Sequence, residues 1–279
     1  MQGIYSGNPC PILHLEKTMQ KIRPAACAGS FYPGNRLELK ASLDAFLENA
    51  AGEAAPFPKA MIVPHAGYAY SGEVAARAYA RLIGSGYRRV VLLGPAHRHR
   101  FRGIALPVAS IFETPLGPIP LDPVCRGLAS LPNFLGSEEA HRMEHAIEVQ
   151  LPFLQRVLEE FSIVPLLVGN VSPAAVSDII DRFIREPGTL VLASSDLSHF
   201  HAYDEARVLD AATAESIMAL DPVLEQEQAC GAMPVNALLL SAKRHGLHPR
   251  LIDIRNSGDT CGSRERVVGY ASFSFGFAL

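Results

Sequence analysis

The 279-residue chain has no marked excess of charge, no closely spaced cysteine pair and no long apolar run. Its formal net charge of −3 excludes the basic footprint of a nucleic-acid-binding domain and a polybasic membrane patch. No stretch approaches the roughly 20 apolar residues that a spanning helix needs, so no membrane segment is expected. The five cysteines (Cys10, Cys27, Cys125, Cys230, Cys261) are odd in number and contain no CxxC pair. The opening MQGIYSGNPCPILHLEK lacks a charged region followed by an apolar stretch. Together these point to free thiols and a cytoplasmic location. Residues 1–18 are expected to be a flexible leader, with Met19 a candidate start, before a single domain over 19–279. A Walker P-loop and a GxSxG nucleophile elbow are both missing. Gly84-Ser85-Gly86 lacks a third glycine and precedes a strand, so a dinucleotide fingerprint fails as well.

What is present is a core. Hydrophobic residues make up 48% of the chain, enough for one large α/β domain. Several apolar runs end in chemistry-bearing side chains. Ala60–Val63 stops at Pro64 and is followed by His65; Arg89–Leu93 runs through Gly94-Pro95-Ala96 to His97; Thr189–Ala193 runs into Ser194-Ser195-Asp196-Leu197-Ser198-His199. Between the first two, Gly72–Ile83 has helical spacing. A strand–helix–strand unit makes its strands parallel and brings their carboxyl ends to one edge, where ligands bind in open α/β sheets. His65 and His97 are therefore expected to be neighbours. Alone, either histidine reads equally as a packed core residue. Together with Asp196 and His199 they supply the imidazole–carboxylate mix that suits non-haem iron(II), zinc or copper.

The rest of the pattern reads as one mixed-sheet α/β domain with helices on both faces. Asn35 caps a helix running to about Asn49. Glu144–Phe161 reads as one long helix, with Pro152 a kink or its true first turn. His141 and His145 would share a helical face at i,i+4, but HRMEH is not the HExxH of a zincin. His145 and Glu148, three apart, suit orienting metal ligands or binding substrate, and read equally as a helix start with capping acids. Cys230 precedes Gly231 at a helix start, where the helix terminus would depress a thiol's pKa; inert packing is the alternative. The basic run His97–Arg102 is either plain surface or an anion-binding rim. Val267–Phe275 alternates as an antiparallel strand does.

The elements VPHAGYAYSG, LLGPAH, ETPLG, EHAIEVQLPFL, PLLVG, SSDLSH, CGAMPVNALL and SGDTCG…VVGYA follow one another in this order. In these the chain resembles the Memo family, whose prokaryotic members are called AmmeMemoRadiSam system protein B. The resemblance covers residues 22–277. It implies a three-layer α/β/α fold on a mixed, mostly parallel sheet, similar to class III extradiol ring-cleaving dioxygenases. It implies metal ligation by His65, His97 and Cys230, with Asp196 and His199 as catalytic residues lining the site and His199 as general base. His145, Glu148 and Tyr68 of the PHAGY turn are expected to bind substrate or to orient the ligands. One divalent or redox metal is implied, iron(II) favoured, with copper or zinc as alternatives. Where the ring-cleaving relatives carry a glutamate ligand, this chain carries Cys230, a softer donor. The expected activity is that of a metal-dependent oxidoreductase acting on a small substrate. A non-catalytic peptide-binding module and a zinc-dependent hydrolase are the competing readings. An AMMECR1-like domain protein and a radical SAM protein are the partners implied.

Overall fold

Buried strands dominate the chain, and their alternation sets the layers. The structure is a computed structural model that describes residues 21–50 and 56–278; the leader expected at 1–18 lies outside the described residues. Among the described residues Ile22–Arg23 (β1) comes first and the helix Arg36–Asn49 (α1) follows, capped by Asn35, whose side chain accepts the N–H groups of Leu37 and Glu38. Ala60–Val63 (β2) leads into the helix Tyr68–Tyr79 (α2), then Arg89–Pro95 (β3). Short strands Ile104–Leu106 (β4), Ile111–Thr114 (β5) and Gly117–Pro120 (β6) precede the helix Val124–Leu128 (α3) and the strand Phe134–Gly136 (β7). Three short helices follow, Glu138–Arg142 (α4), His145–Glu148 (α5) and Leu151–Val157 (α6). Ser162–Val168 (β8), the helix Pro173–Ile180 (α7), Thr189–Ser194 (β9) and His199–His201 (β10) come next. The helices Tyr203–Met218 (α8) and Ala232–His245 (α9) and the strands Leu247–Asn256 (β11) and Val267–Phe277 (β12) complete it.

The main sheet runs β10-β12-β2-β9-β3-β8-β4-β7, with β11 paired to β12. Its central strands β2, β9, β3 and β8 are parallel, and β12 and β4 join this centre antiparallel. Each central strand is buried on both faces, as a covered parallel sheet requires. Ile62, Val91 and Val191 point towards α7, α8 and α9, while Met61, Val90 and Leu192 point towards α1, α2 and α6. Fully burying each such side chain is worth about 1.5–3 kcal/mol. The result is the three-layer α/β/α arrangement expected from the sequence. The β2–α2–β3 unit brings two strand ends to one edge, as predicted. The two strands are not direct partners, however: β9 enters between them, with Val63 opposite Ser194 and Leu93 opposite Ala193.

The expected single helix over Glu144–Phe161 is instead broken. The Glu144 side chain caps α5 by accepting the N–H groups of His145 and Ala146, and Pro152 sits in the first turn of α6. A cap and a proline each start a helix better than they continue one. His141 and His145 consequently lie on different short helices and share no face. The helix α2 begins at Tyr68 rather than Gly72, and α9 begins at Ala232, with Pro234 inside its first turn, where a missing N–H leaves no bond unmade.

Candidate metal centre

The carboxyl ends of β2, β3 and β9 converge with α5. Two close approaches make this possible. A Cβ on Gly94, at the end of β3, would lie 3.1 Å from Ile147 and 3.2 Å from Ala146, so the glycine lets α5 pack against the strand. A Cβ on Gly231 would lie 2.6 Å from the Ser194 carbonyl oxygen, so the segment carrying Cys230 reaches the end of β9 only with glycine there.

At this edge the ligand atoms of His65, His97 and His145 all lie within 4.8 Å of one another, and these three residues can hold a metal ion. The ring centroids of His97 and His145 are 4.6 Å apart, and His65 is 5.2 Å from each. Hydrogen-bond counting fixes the protons. Ser194 Oγ is 2.6 Å from the Ala146 carbonyl oxygen, to which it donates its only hydrogen, and it accepts from Gln150 Nε2 at 2.8 Å. It can only accept from His65 Nδ1 at 2.8 Å. His65 therefore carries its hydrogen on Nδ1 and presents a bare Nε2, the form a metal requires. Gln150 is itself held by the Pro64 carbonyl and by the Tyr79 hydroxyl.

Glu144 does the same for His97. Its Oε1 is 2.9 Å from His97 Nδ1, and its Oε2 accepts the His97 backbone N–H at 2.7 Å. Burial alone would raise this carboxyl's pKa. The adjacent His145 and His97 rings and the Ala146 N–H outweigh it and hold Glu144 well below the ordinary carboxylate range. As an anion it is acceptor-only, so His97 Nδ1 donates, and in the neutral ring Nε2 is the bare nitrogen. His145 Nδ1 lies 3.2 Å from Glu144 Oε1 but out of alignment, and this buried nitrogen has no hydrogen-bond partner. Burial, together with the His145 and His97 rings, pushes His65 well below the usual imidazole pKa. A neutral ring is the ligating form. An orphaned nitrogen on His145 and the Nε2 edges of His65 and His97, with the Glu144 carboxylate behind them, fit a cation.

Cys230 Sγ stands 3.1 Å from His65 Nε2, beside the three-histidine group. The sequence pattern anticipated a thiol lowered by a helix terminus. Burial, with the Asp196 charge adding to it, instead pushes the Cys230 thiol up. Asp196 Oδ1 accepts the backbone N–H of His65 at 2.7 Å and of Ala66 at 3.3 Å, tying the turn after β2 to the turn after β9. Burial raises the Asp196 carboxyl. His199 Nδ1 donates to the Leu197 carbonyl at 2.8 Å, leaving its Nε2 free to accept.

Glu148 and Tyr68 are drawn elsewhere. Glu148 is fully buried and receives Arg23, the N–H groups of Ala26 and Cys27, and the Tyr32 hydroxyl. It locks the entry segment to α5. The Tyr68 hydroxyl donates to the Val149 carbonyl at 2.8 Å and its ring packs 4.9 Å from Phe153. His141 donates from Nε2 to the Ala105 carbonyl inside the core, and burial lowers its pKa to about 4. In the sequence Ser194 stands only as one of a polar run after an apolar strand, with no role, and Gln150 is not singled out, since a glutamine between helices carries no chemical signature.

A family model described as Memo-like protein matches residues 23–274. A "MEMO1 family protein" of Aquifex aeolicus is 35% identical over 268 residues, covering 91% of this chain and 99% of that protein. A protein with the same description from Sulfolobus acidocaldarius is 33% identical, again over 91% of this chain and 99% of its own. One from Thermoplasma volcanium is 35% identical over 90% of this chain and 97% of its own.

Proposed function

The chain belongs to the Memo family, and from that premise we propose that it is a metal-dependent oxidoreductase, dioxygenase-like in its site, acting on a small substrate. The observation that carries the reading is the convergence of three imidazoles, two of them, His65 and His97, held through Nδ1 by Ser194 and Glu144. His65, His97 and His145 hold the metal, and Cys230 is the adjacent sulfur donor. Iron(II) is favoured on the dioxygenase-like resemblance, with copper or zinc as the alternatives that a sulfur donor also suits. When bound, the metal supplies Lewis-acid and one-electron chemistry towards oxygen or substrate.

The chain's own residues do the remainder. Asp196 holds the His65 turn in place through the N–H groups of His65 and Ala66. His199 has an oriented ring and a free Nε2, and in this reading it takes a proton from a substrate hydroxyl. No described helix is long and apolar enough to cross a membrane; a cytoplasmic site of action and the AMMECR1-like and radical SAM partners belong to the same proposal.

The test is reconstitution of the untagged protein with iron(II), copper(I) or zinc under anaerobic conditions, followed by oxygen-uptake measurements. The reading expects one metal per chain and oxygen consumption with iron, both abolished by His65→Ala. Stoichiometric binding of zinc alone, with no redox response to iron or copper, would instead favour hydrolysis.

A further inference from the structure

The basic run after His97 acquires a definite place in the structure. Residues 97–102 leave β3 and are pinned to the end of β8 by backbone bonds. Asn170 N–H donates to the Phe101 carbonyl at 2.9 Å, and Gly103 N–H donates to the Asn170 carbonyl at 3.1 Å. The loop is thus a fixed platform for its side chains. Beneath it lies a cavity of about 740 Å³, within the range of small-molecule sites. His99, Arg100 and Arg102 line one side, and Leu224 and Met233 form an apolar wall. Cys230 lines it too, so the cavity opens beside the metal centre.

The charges are one-sided. Among the described residues no carboxylate lines the cavity, and neither Arg100 nor Arg102 has an ion-pair partner. Elsewhere the chain pairs arginines readily: Arg23 with Glu148, Arg89 with Asp122, Arg156 with Asp44, Arg255 with Glu73. Two unpaired guanidinium groups over a one-signed cavity form a field that draws in anions, and their planar forks match carboxylate or phosphate oxygens.

We propose that this cavity binds a small organic anion, a carboxylate or a phosphate ester, with Arg100 and Arg102 gripping its acidic end and its apolar part lying against Leu224 and Met233, so that its other end meets Cys230. This rests on the metal-centre reading for one point only: that the bound anion is the substrate of that centre. Arg100 and Arg102 set specificity by rejecting neutral analogues.

Calorimetric titration of the full chain at low ionic strength tests it, with inorganic phosphate, glutarate and neutral glutaramide as probes. Saturable binding is expected for phosphate or glutarate and not for glutaramide; which of the two anions binds identifies the acidic group. Arg100→Gln and Arg102→Gln should each weaken binding about tenfold, the worth of one charge-assisted hydrogen bond. Arg98→Gln, outside the cavity lining, should leave it unchanged. Failure of both anions to bind, equal binding of glutaramide, or wild-type affinity in the double variant overturns the proposal. Metal uptake by the same wild-type sample separates the two readings. Metal binding without anion binding overturns the anion site alone; anion binding without metal binding overturns the metal centre and leaves the anion site standing.

Discussion

Replacing Ser194 with alanine removes one oxygen that serves three groups. Ser194 Oγ donates to the Ala146 carbonyl, accepts from Gln150 and accepts from His65 Nδ1. In Ser194→Ala the His65 Nδ1–H and the Ala146 carbonyl lose their partner in a buried setting, while Gln150 keeps its bond to the Pro64 carbonyl. A buried polar group left unpaired costs about 1–3 kcal/mol, so the variant should lose roughly 2–6 kcal/mol of stability from two orphaned groups. The effect on the metal has a separate cause. With no acceptor at Nδ1, His65 is free to move its hydrogen to Nε2, which closes that nitrogen to a metal. Loss of such an orienting partner costs about 10–100-fold in metal affinity. Urea denaturation of the metal-free protein measures the first quantity, and anaerobic iron(II) titration the second. Wild-type metal affinity in a folded Ser194→Ala protein would refute the assignment of the His65 proton.

Other substitutions probe the surrounding frame. Glu148→Gln breaks a buried pair with Arg23, in which both side chains are almost wholly inaccessible; it should cost about 3–5 kcal/mol in urea denaturation while metal stoichiometry is retained. His141 supplies a pH dependence. Its folded pKa of about 4 lies below the ordinary value near 6.5, so its contribution is complete above the unfolded pKa and drains as the pH falls towards 4. The loss amounts to about 3 kcal/mol, and a stability profile of His141→Gln should lack that slope. Gly231→Ala places a Cβ 2.6 Å from the Ser194 carbonyl oxygen. Overpacking of this kind costs about 1–3 kcal/mol, and the variant should show slower alkylation-protection of Cys230 by added metal, read by mass spectrometry.

The three strand-end sites were legible because parallel strands impose their own geometry. An apolar run ending in Pro-His, in Gly-Pro-Ala-His or in Ser-Ser-Asp places those side chains at one edge whatever the strand order. The order itself was not legible: nothing local to β9 says that it inserts between β2 and β3. His145 reads in the sequence as orienting ligands or binding substrate rather than as a ligand, for a different reason. EHAIEVQLPFL carries helical spacing throughout, and its break depends on Glu144 turning its side chain to cap α5 and to meet His97. Spacing alone made Glu148 look like a partner of His145. Arg23, far away in the chain, claims it for the fold instead.

The most direct measurement is anomalous diffraction at the iron edge from crystals grown anaerobically with iron(II). The account predicts one peak per chain, enclosed by His65, His97 and His145, with Cys230 beside it and Glu144 and Ser194 still holding the outer nitrogens. An iron peak away from these histidines, or a structure in which His65 Nε2 turns away from the metal, would contradict it.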